Sequence, residues 1–417
     1  MSRSVVHQHH AGDGDRISQL PAEILDHIMG LLPIEQAAKT AVLSRVWRDV
    51  WSSLSRLCFD DNFFRIFPKK CPRGIKCVTI YSCFYVINNI LLHHKGSIRK
   101  FVCLRSWPVT LDVRCESPAT DKLLMLVTGQ GVEEIKLCFV NGKYKLPDCI
   151  FSCSTLRILH LEWFYIEPQS SAGILPNATS LSFKCCDFGT RGLSSYVVDV
   201  LKLENLSFMY CTNLFHFNIG ARNLYSLTIN HCFSRKTGNF IPVNLNLSSI
   251  SVLDIDSYSL QGFLGQYTSK GLSLQPFALN VERLKLSEFC FQDDARISAF
   301  VCLLCKCPKL SHLEIGFEDV VFTLAGDINK RVDSGLLEKL LSVVRTHKLL
   351  SSLKLSSFTG LRPQMHFIEE MLACLPSLEE VVIICLPHRF DWNKKCDIFE
   401  EISHFTGASH KAKIAYR

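Results

Sequence analysis

Cysteine is the residue type here best equipped to do chemistry: the chain has 20 in 417 residues. Cys302, Cys305 and Cys307 approach the spacing of a zinc site, which needs thiolates or imidazoles in paired clusters. No second cluster and no HxxxH pair accompanies them, so the triplet reads as apolar packing. Cys185 and Cys186 are adjacent and would face opposite sides of a strand. His7, His9 and His10 could hold a stray metal ion weakly from a polar tail. Gly129 and Gly131 make a lone G-x-G in GQGVEE, which reads as a tight turn. There is no G-x-S-x-G nucleophile elbow, no G-x-x-x-x-G-K phosphate loop and no complete G-x-G-x-x-G. Neither catalysis, a metal nor a cofactor is therefore expected.

Charge excludes a further class. Lysine plus arginine number 46 against 39 acids, a net +7. That is not the basic stripe of a nucleic-acid surface. The densest basic stretch, Lys69, Lys70, Arg73 and Lys76, reads as a solvated loop. No apolar run approaches the roughly 18 to 20 residues that span a bilayer. The longest, FVCLLC (300–305) and VVIICL (381–386), have the length of buried strands or core segments. The start, MSRSVVHQHHAGDGD, lacks the apolar stretch of a secretory signal, so an intracellular setting with reduced thiols is expected. With 47% hydrophobic and 20% charged residues the chain can bury a sizeable core, as two to four domains or one long array.

Two kinds of element must position any surface residues. From 15 to 54, Leu20, Ile24, Leu25, Ile28, Leu31 and Leu32 recur at helical spacing. Pro21 suits a first helical position, and Gly30 and Pro33 mark the end of one helix and the start of the next. A second helix over 34–42 is rich in small residues. Ser44 can cap a third, whose buried face is expected to be Val46, Trp47, Val50, Trp51 and Leu54. Three short helices bury little surface alone, so this bundle needs a partner or neighbour.

The pattern then becomes a six-residue unit, apolar-x-x-apolar-x-apolar, in about eleven copies. They run Ile98/Phe101/Cys103, Val132/Ile135/Leu137, Leu156/Leu159/Leu161, Ala178/Leu181/Phe183, Leu203/Leu206/Phe208 and Leu224/Leu227/Ile229. Ile250/Leu253/Ile255, Val281/Leu284/Leu286, Leu310/Leu313/Ile315, Leu350/Leu353/Leu355 and Leu378/Val381/Ile383 follow. Middle positions from Leu159 to Leu253 are 22, 25, 21 and 26 residues apart, within the range of leucine-rich repeats. Later gaps of 31 and 40 indicate insertions, and 230–244 and 316–332 read as such. Each unit is a short strand that hides its apolar face only by stacking on its neighbours. The residue between the last two anchors points away from that core. These are Lys136, His160, Ser182, Ser207, Thr228, Asp254, Lys285, Glu314 and Lys354, expected to line a concave substrate-binding face. A helix over 84–92 would feed the first repeats. The chain closes with helix 365–375, strand 379–385, helix 394–405 and strand 412–416, which suit a cap over the last repeat.

The segment DRISQLPAEILDHIMGLLPIEQAAKTAVLSRVWRDVWSSL (15–54) closely resembles a plant-type F-box, through Ile17, Leu20, Pro21, Ile24, Leu25, Ile28, Leu32, Pro33, Ala37, Thr40, Leu43, Ser44, Trp47 and Trp51. FYVINNILLHHKGSIRKF (84–101) looks like the linker of plant F-box proteins with leucine-rich repeats, with Gly96-Ser97 where Gly-Pro is common. LPDCIFSCSTLRILHLEWF (146–164) resembles their early repeats. FIEEMLACLPSLEEVVIICL with ISHFTGASHKAKIAY resembles the closing FBD module. The chain is identified as a member of the F-box/FBD/LRR family.

The resemblance implies an α/β fold: a three-helix F-box, an irregular leucine-rich-repeat solenoid (a horseshoe), and a C-terminal α/β FBD cap. Its boundaries would be a tail to 12, F-box 13–59, linker 60–100, repeats 101–359 and FBD module 360–417. It further implies a non-catalytic subunit of a Skp–cullin–F-box ubiquitin ligase, in the nucleus and/or cytoplasm. Leu20, Pro21, Ile24, Leu25, Ile28, Leu32, Leu43, Ser44, Trp47 and Trp51 would meet the Skp-family adaptor and, through it, cullin. The repeats would hold an unknown target protein, without nucleic acid, membrane or cofactor. Two other classes stay open on the residues: a binding scaffold outside the ligase, and a small-molecule receptor.

Overall fold

The computed structural model describes residues 16–66, 77–105, 113–140, 144–167, 174–189, 197–214, 218–232, 249–260, 278–318, 334–385, 392–405, 407–409 and 411–416. The His7–His9–His10 run, the Lys69–Lys76 cluster and most of both expected insertions lie outside them. The chain forms two compact units, one reaching to Arg157 and one starting at Ile158.

The first unit opens with α1 (Ala22–Gly30), α2 (Ile34–Thr40) and α3 (Arg45–Ser52). Pro21 is the N-cap of α1 rather than its first helical residue, with extended backbone, and Pro33 caps α2 likewise. Because α1 is only nine residues long, the six-residue apolar stripe divides. Leu25 and Met29 turn inward, while Leu20, Ile24, Leu31 and Leu32 stay exposed. Ser44 caps α3 as expected, its hydroxyl accepting from the Trp47 backbone N–H at 3.4 Å. Of the face predicted to be buried in α3, Trp47, Val50 and Leu54 are inside, Trp51 is half-buried and Val46 is 40% exposed.

Then come β1 (Arg56–Phe59), α4 (Asp61–Ile66), α5 (Cys77–His93), β2 (Lys100–Arg105), α6 (Val113–Gly129), β3 (Glu134–Phe139), β4 (Tyr144–Lys145) and α7 (Asp148–Phe151). Strands β1, β2 and β3 lie parallel, with Leu57 beside Phe101 and Phe101 beside Ile135. The bundle is pinned to β1 by Asp26 of α1, whose carboxylate accepts from the Ser55 backbone N–H (2.7 Å) and hydroxyl (2.6 Å). Nearby, the Lys95 N–H donates to the Ser52 carbonyl at 2.7 Å. Gly96 is needed at this crossing, since a Cβ there would lie 2.8 Å from the Ser53 carbonyl oxygen.

The second unit begins with β5 (Ile158–Glu162), β6 (Phe164–Tyr165), β7 (Ser180–Lys184), β8 (Val197–Asp199), β9 (Asn205–Met209), β10 (Asn218–Gly220), β11 (Ser226–Asn230) and β12 (Val252–Asp256). It continues with β13 (Arg283–Phe289), α8 (Asp294–Cys305), β14 (His312–Phe317), α9 (Ser334–Val344), β15 (Ser352–Phe358), α10 (Arg362–Cys374), β16 (Glu380–Cys385), α11 (Trp392–Ser403) and β17 (Lys413–Tyr416). Strands β5, β7, β9 and β11 to β17 make one parallel sheet in chain order. Their register brings Leu159, Leu181, Leu206, Leu227, Leu253, Leu284, Leu313, Leu353, Val381 and Ile414 side by side. This is the predicted repeat array, and every anchor named above from Leu156 to Ile383 is buried.

Of the two forms open to FVCLLC, a buried strand or a core segment, the structure shows the second: it is the end of α8, which Asp293 caps by accepting from the backbone N–H groups of Ala295 and Arg296. A wholly apolar hexapeptide carries no period, so its surroundings decide its structure. The cysteines likewise show a packing role. Cys186, Cys211 and Cys232 occupy one equivalent position after successive strands, all buried. Their sulfurs lie 3.4 to 3.5 Å from the carbonyl oxygens of Lys184, Met209 and Asn230. The cysteines whose side chains are described are free thiols, and burial raises the pKa of Cys186 and Cys211. The Cys302, Cys305 and Cys307 triplet departs from the expected apolar packing: Cys302 and Cys305 are exposed on α8 and Cys307 alone of the three is buried, and no metal-holding cluster exists among the described residues.

Candidate interaction surfaces

The residues proposed for adaptor contact divide by burial. Leu25 is 1% exposed and Trp47 is 9%, so both hold the three helices together instead of offering surface. Ser44 is engaged in capping α3, and Ile28 and Trp51 are half-buried. Leu20, Pro21, Ile24, Leu32 and Leu43 are exposed. Ile17, Leu31, Val42 and Val46 join them, with Leu43 and Val42 exposed by 70% and 79%. A run of about 30 residues thus leaves eight large aliphatic side chains in water. Isolated exposed aliphatics are ordinary, whereas such a concentration on a monomer marks a protein interface. Val42 and Val46 escape a reading by helical period because α2 ends at Thr40, two residues short of its expected end, and the turn redirects the chain.

The nine residues between repeat anchors also take up definite positions. Lys136 lies on β3 of the first unit, half-buried, with Val102 of β2 as its cross-strand neighbour. In the second unit His160, Ser182, Ser207, Thr228, Asp254, Lys285, Glu314 and Lys354 form one cross-strand row, all half-buried on the displayed face. The row continues through Val382 to Ala415, both apolar. Along it, charges of alternating sign pair with one another. Lys285 Nζ lies 3.2 Å from Asp254, and Lys354 Nζ lies 3.0 Å from Glu314. Glu162 and Lys184 form a third pair at 2.6 Å. These pairs are partly solvated and add little stability individually. Between Ser182 and Thr228 the side chains are short hydroxyls.

A second row was not anticipated. Trp163, Cys185, Tyr210, His231, Glu288 and Ser357 all have positive φ, between 53° and 68°. Each lies four residues beyond the middle anchor of its repeat; Trp163, Cys185, Tyr210 and His231 follow the end of their strand, while Glu288 and Ser357 sit at bulges within β13 and β15. This conformation costs a non-glycine residue about 1 kcal/mol or more, yet none of the six is glycine. The first three give their backbone N–H to the Lys184, Met209 and Asn230 carbonyls of the next strand, so the geometry repeats. Trp163 and Tyr210 are 37% and 49% exposed, and the Tyr210 and His231 rings stack, 4.6 Å apart and nearly parallel.

Below this rim lies a buried polar network. Asp256 is fully buried, and its carboxylate accepts from the backbone N–H groups of His231 (2.6 Å), Tyr258 (2.9 Å) and Ser259 (2.9 Å) and from the Ser259 hydroxyl (2.5 Å). Tyr258 donates to Glu318 at 2.7 Å, and the Arg296 guanidinium lies 3.9 Å over the Tyr258 ring. Arg296 also pairs with Glu318 at 2.6 Å and with Asp293 at 3.0 Å. Donors and acceptors aligned this way fix the ends of β11 and β12.

Residues 17–59 match the family model of the F-box domain, and residues 90–264 match that of the At1g61320/AtMIF1 LRR domain. Across 96% of its length the chain is 26% identical to the F-box/FBD/LRR-repeat protein At1g13570 of Arabidopsis thaliana, 98% of which is covered. It is 28% identical to the putative F-box/FBD/LRR-repeat protein At4g13965 of the same plant, over 42% of this chain and 38% of that one. It is 23% identical to the Arabidopsis F-box/LRR-repeat protein At3g26922, over 82% of this chain and 92% of that one.

Proposed function

We propose that this chain, which belongs to the plant F-box/LRR-repeat proteins, is the substrate-recognition subunit of a Skp–cullin–F-box ubiquitin ligase. The aliphatic patch from Ile17 to Val46 carries this reading. Ile24 and Val46 lie on helices and the other members lie in the segments before and between them, in a bundle already closed by Leu25, Met29, Ala37, Trp47 and Val50. Its exposed members therefore have nothing left to do within the bundle, and a partner of matching apolar chemistry removes them from water. In this reading the partner is the Skp-family adaptor, cullin follows through it, and the displayed row of the repeats holds the target protein. The chain itself supplies position and contributes no bond chemistry.

The test is co-expression with a Skp-family adaptor. Full-length chain should retain the adaptor through purification, and a chain starting at residue 60 should not. A full-length chain that fails to retain it overturns the ligase reading and leaves a repeat scaffold.

A further inference from the structure

The displayed face of the second unit is not uniform, and its charge is unbalanced at one place. Around the ends of β11 to β14 lie the carboxylates of Asp254, Asp256, Glu288, Asp293 and Glu318. Among the described residues the two cations there are committed: Lys285 to Asp254, and Arg296 to Glu318 and Asp293. Asp256 is satisfied by N–H and hydroxyl donors rather than by a cation. Burial and the neighbouring Glu318 and Asp256 carboxylates raise the Glu288 carboxyl above its ordinary range, against the opposing pull of His231 and Arg296.

Two further observations point to what is missing. Asn230 is 7% exposed and lies on the displayed face next to His231. Its amide donates to Asp254 at 3.0 Å, while its Oδ1 has no hydrogen-bond partner. Such an orphaned acceptor destabilises the fold and calls for a donor. Beside it the stacked Tyr210 and His231 rings form a flat platform with Tyr210 half in water. From His231 to Glu288 is two strand spacings, about 10 Å, with the small Ser257 in the equivalent position between. A planar cation fits these demands, since it donates hydrogen bonds, neutralises a carboxylate and lies against an aromatic face.

Building on the reading of the repeats as the target-binding part, we propose that the rim formed by Tyr210, His231 and Glu288 binds an arginine side chain in a basic segment of the target protein. The guanidinium lies between the His231 ring, which Tyr210 backs, and the Glu288 carboxylate. The short hydroxyls of Ser182, Ser207 and Thr228 leave room along the row for the backbone of that segment.

The experiment uses the full-length chain and two fluorescein-labelled Gly-Ser peptides, one with three spaced arginines and one with three glutamates, read by polarisation. The arginine peptide should bind and the glutamate peptide should not. Glu288→Gln and Tyr210→Ala should each weaken binding about tenfold. Tyr210→Phe should bind as the parent does, since the ring is kept, and Glu338→Gln, an exposed acid on α9, should change nothing. Melting temperatures are measured alongside, so that weakening without unfolding is what counts in favour. Failure of the arginine peptide to bind overturns the proposal. So does unchanged binding by folded Glu288→Gln and Tyr210→Ala, and so does equal weakening by Glu338→Gln. Adaptor capture is run on the same preparations. If capture holds while the peptide fails, only the arginine assignment falls; if capture fails while the peptide binds, the ligase reading falls and the rim stands.

Discussion

Ile24 and Leu25 are neighbours in sequence with opposite assignments, and substituting each separates folding from docking. Leu25 is 1% exposed between the helices of the bundle. Leu25→Ala deletes buried methyl groups where a small core has little capacity to collapse, at about 2 to 5 kcal/mol. Ile24 and Leu43 are 47% and 70% exposed, so truncating them leaves the fold within about 0.5 kcal/mol. Their cost appears only on binding. Fully burying such a side chain contributes about 1.5 to 3 kcal/mol. Scaled by exposure, Ile24 offers about 0.7 to 1.4 and Leu43 about 1 to 2 kcal/mol. At 1.4 kcal/mol per decade, the double variant Ile24→Ala/Leu43→Ala should weaken adaptor binding by about 20- to 300-fold. The assay is titration of purified adaptor by calorimetry, with a thermal melt of each variant. Adaptor affinity unchanged in the folded double variant refutes the assignment of the exposed patch. A melting temperature unchanged by Leu25→Ala refutes the assignment of the core.

Three other outcomes follow from the geometry. Burial lowers the pKa of His347, opposed by a hydrogen bond to the Leu304 backbone, and that of His94, opposed by Asp26. The fold therefore holds neutral imidazoles while the unfolded chain takes up protons as pH falls through about 6.5. Stability present above that value should be lost below it, and His347→Gln should flatten the fall in melting temperature between pH 7.5 and 5.5. Gly360 has φ +66°, and a Cβ there would lie 2.4 Å from Ile398 Cδ1. Gly360→Ala should destabilise by about 1 to 3 kcal/mol in a denaturant melt, and adding Ile398→Ala should recover the steric part but not the backbone part. Deleting everything after Gly360 should leave adaptor capture intact yet cause aggregation, because it removes β16 from β15 and the buried faces of Phe367, Ile368, Met371 and Leu372. A soluble truncation with an unchanged melting temperature would show that these elements are no cap.

The repeat array was legible because its signal is redundant. A single L-x-x-L-x-L says little, but Leu159, Leu181, Leu206, Leu227 and Leu253 at 21- to 26-residue spacing fix strand, face and register together. The helices read at 365–375 and 394–405 are present as α10 and α11, whereas α8 and α9, before β14 and β15, were not visible. In α8 the sequence DARISAFVCLLC buries residues on nearly every side, including the stem of Arg296, so no polar face marks its period. In the bundle the period was correct, but short helices broke it. A stripe running from Leu20 to Leu32 reads as one face, while α1 covers only nine of those residues.

The positive-φ row shows where sequence reading fails for a different reason. Trp163, Tyr210 and His231 share no residue type, and none is the glycine or asparagine by which left-handed backbone usually betrays itself. The repeating feature is only an offset, four residues beyond the middle anchor, and it becomes visible once the anchors are aligned. The conformation is imposed by the stack. Each of the first three such residues must turn its N–H to the carbonyl at the end of the next strand, and the buried cysteine that follows Cys185, Tyr210 and His231 fixes the exit from the sheet. Once the backbone is held by its neighbours, the side chain at that position is free of folding duties. Its identity can vary from repeat to repeat without disturbing the array, and this makes the row a place where specificity for a target can be written.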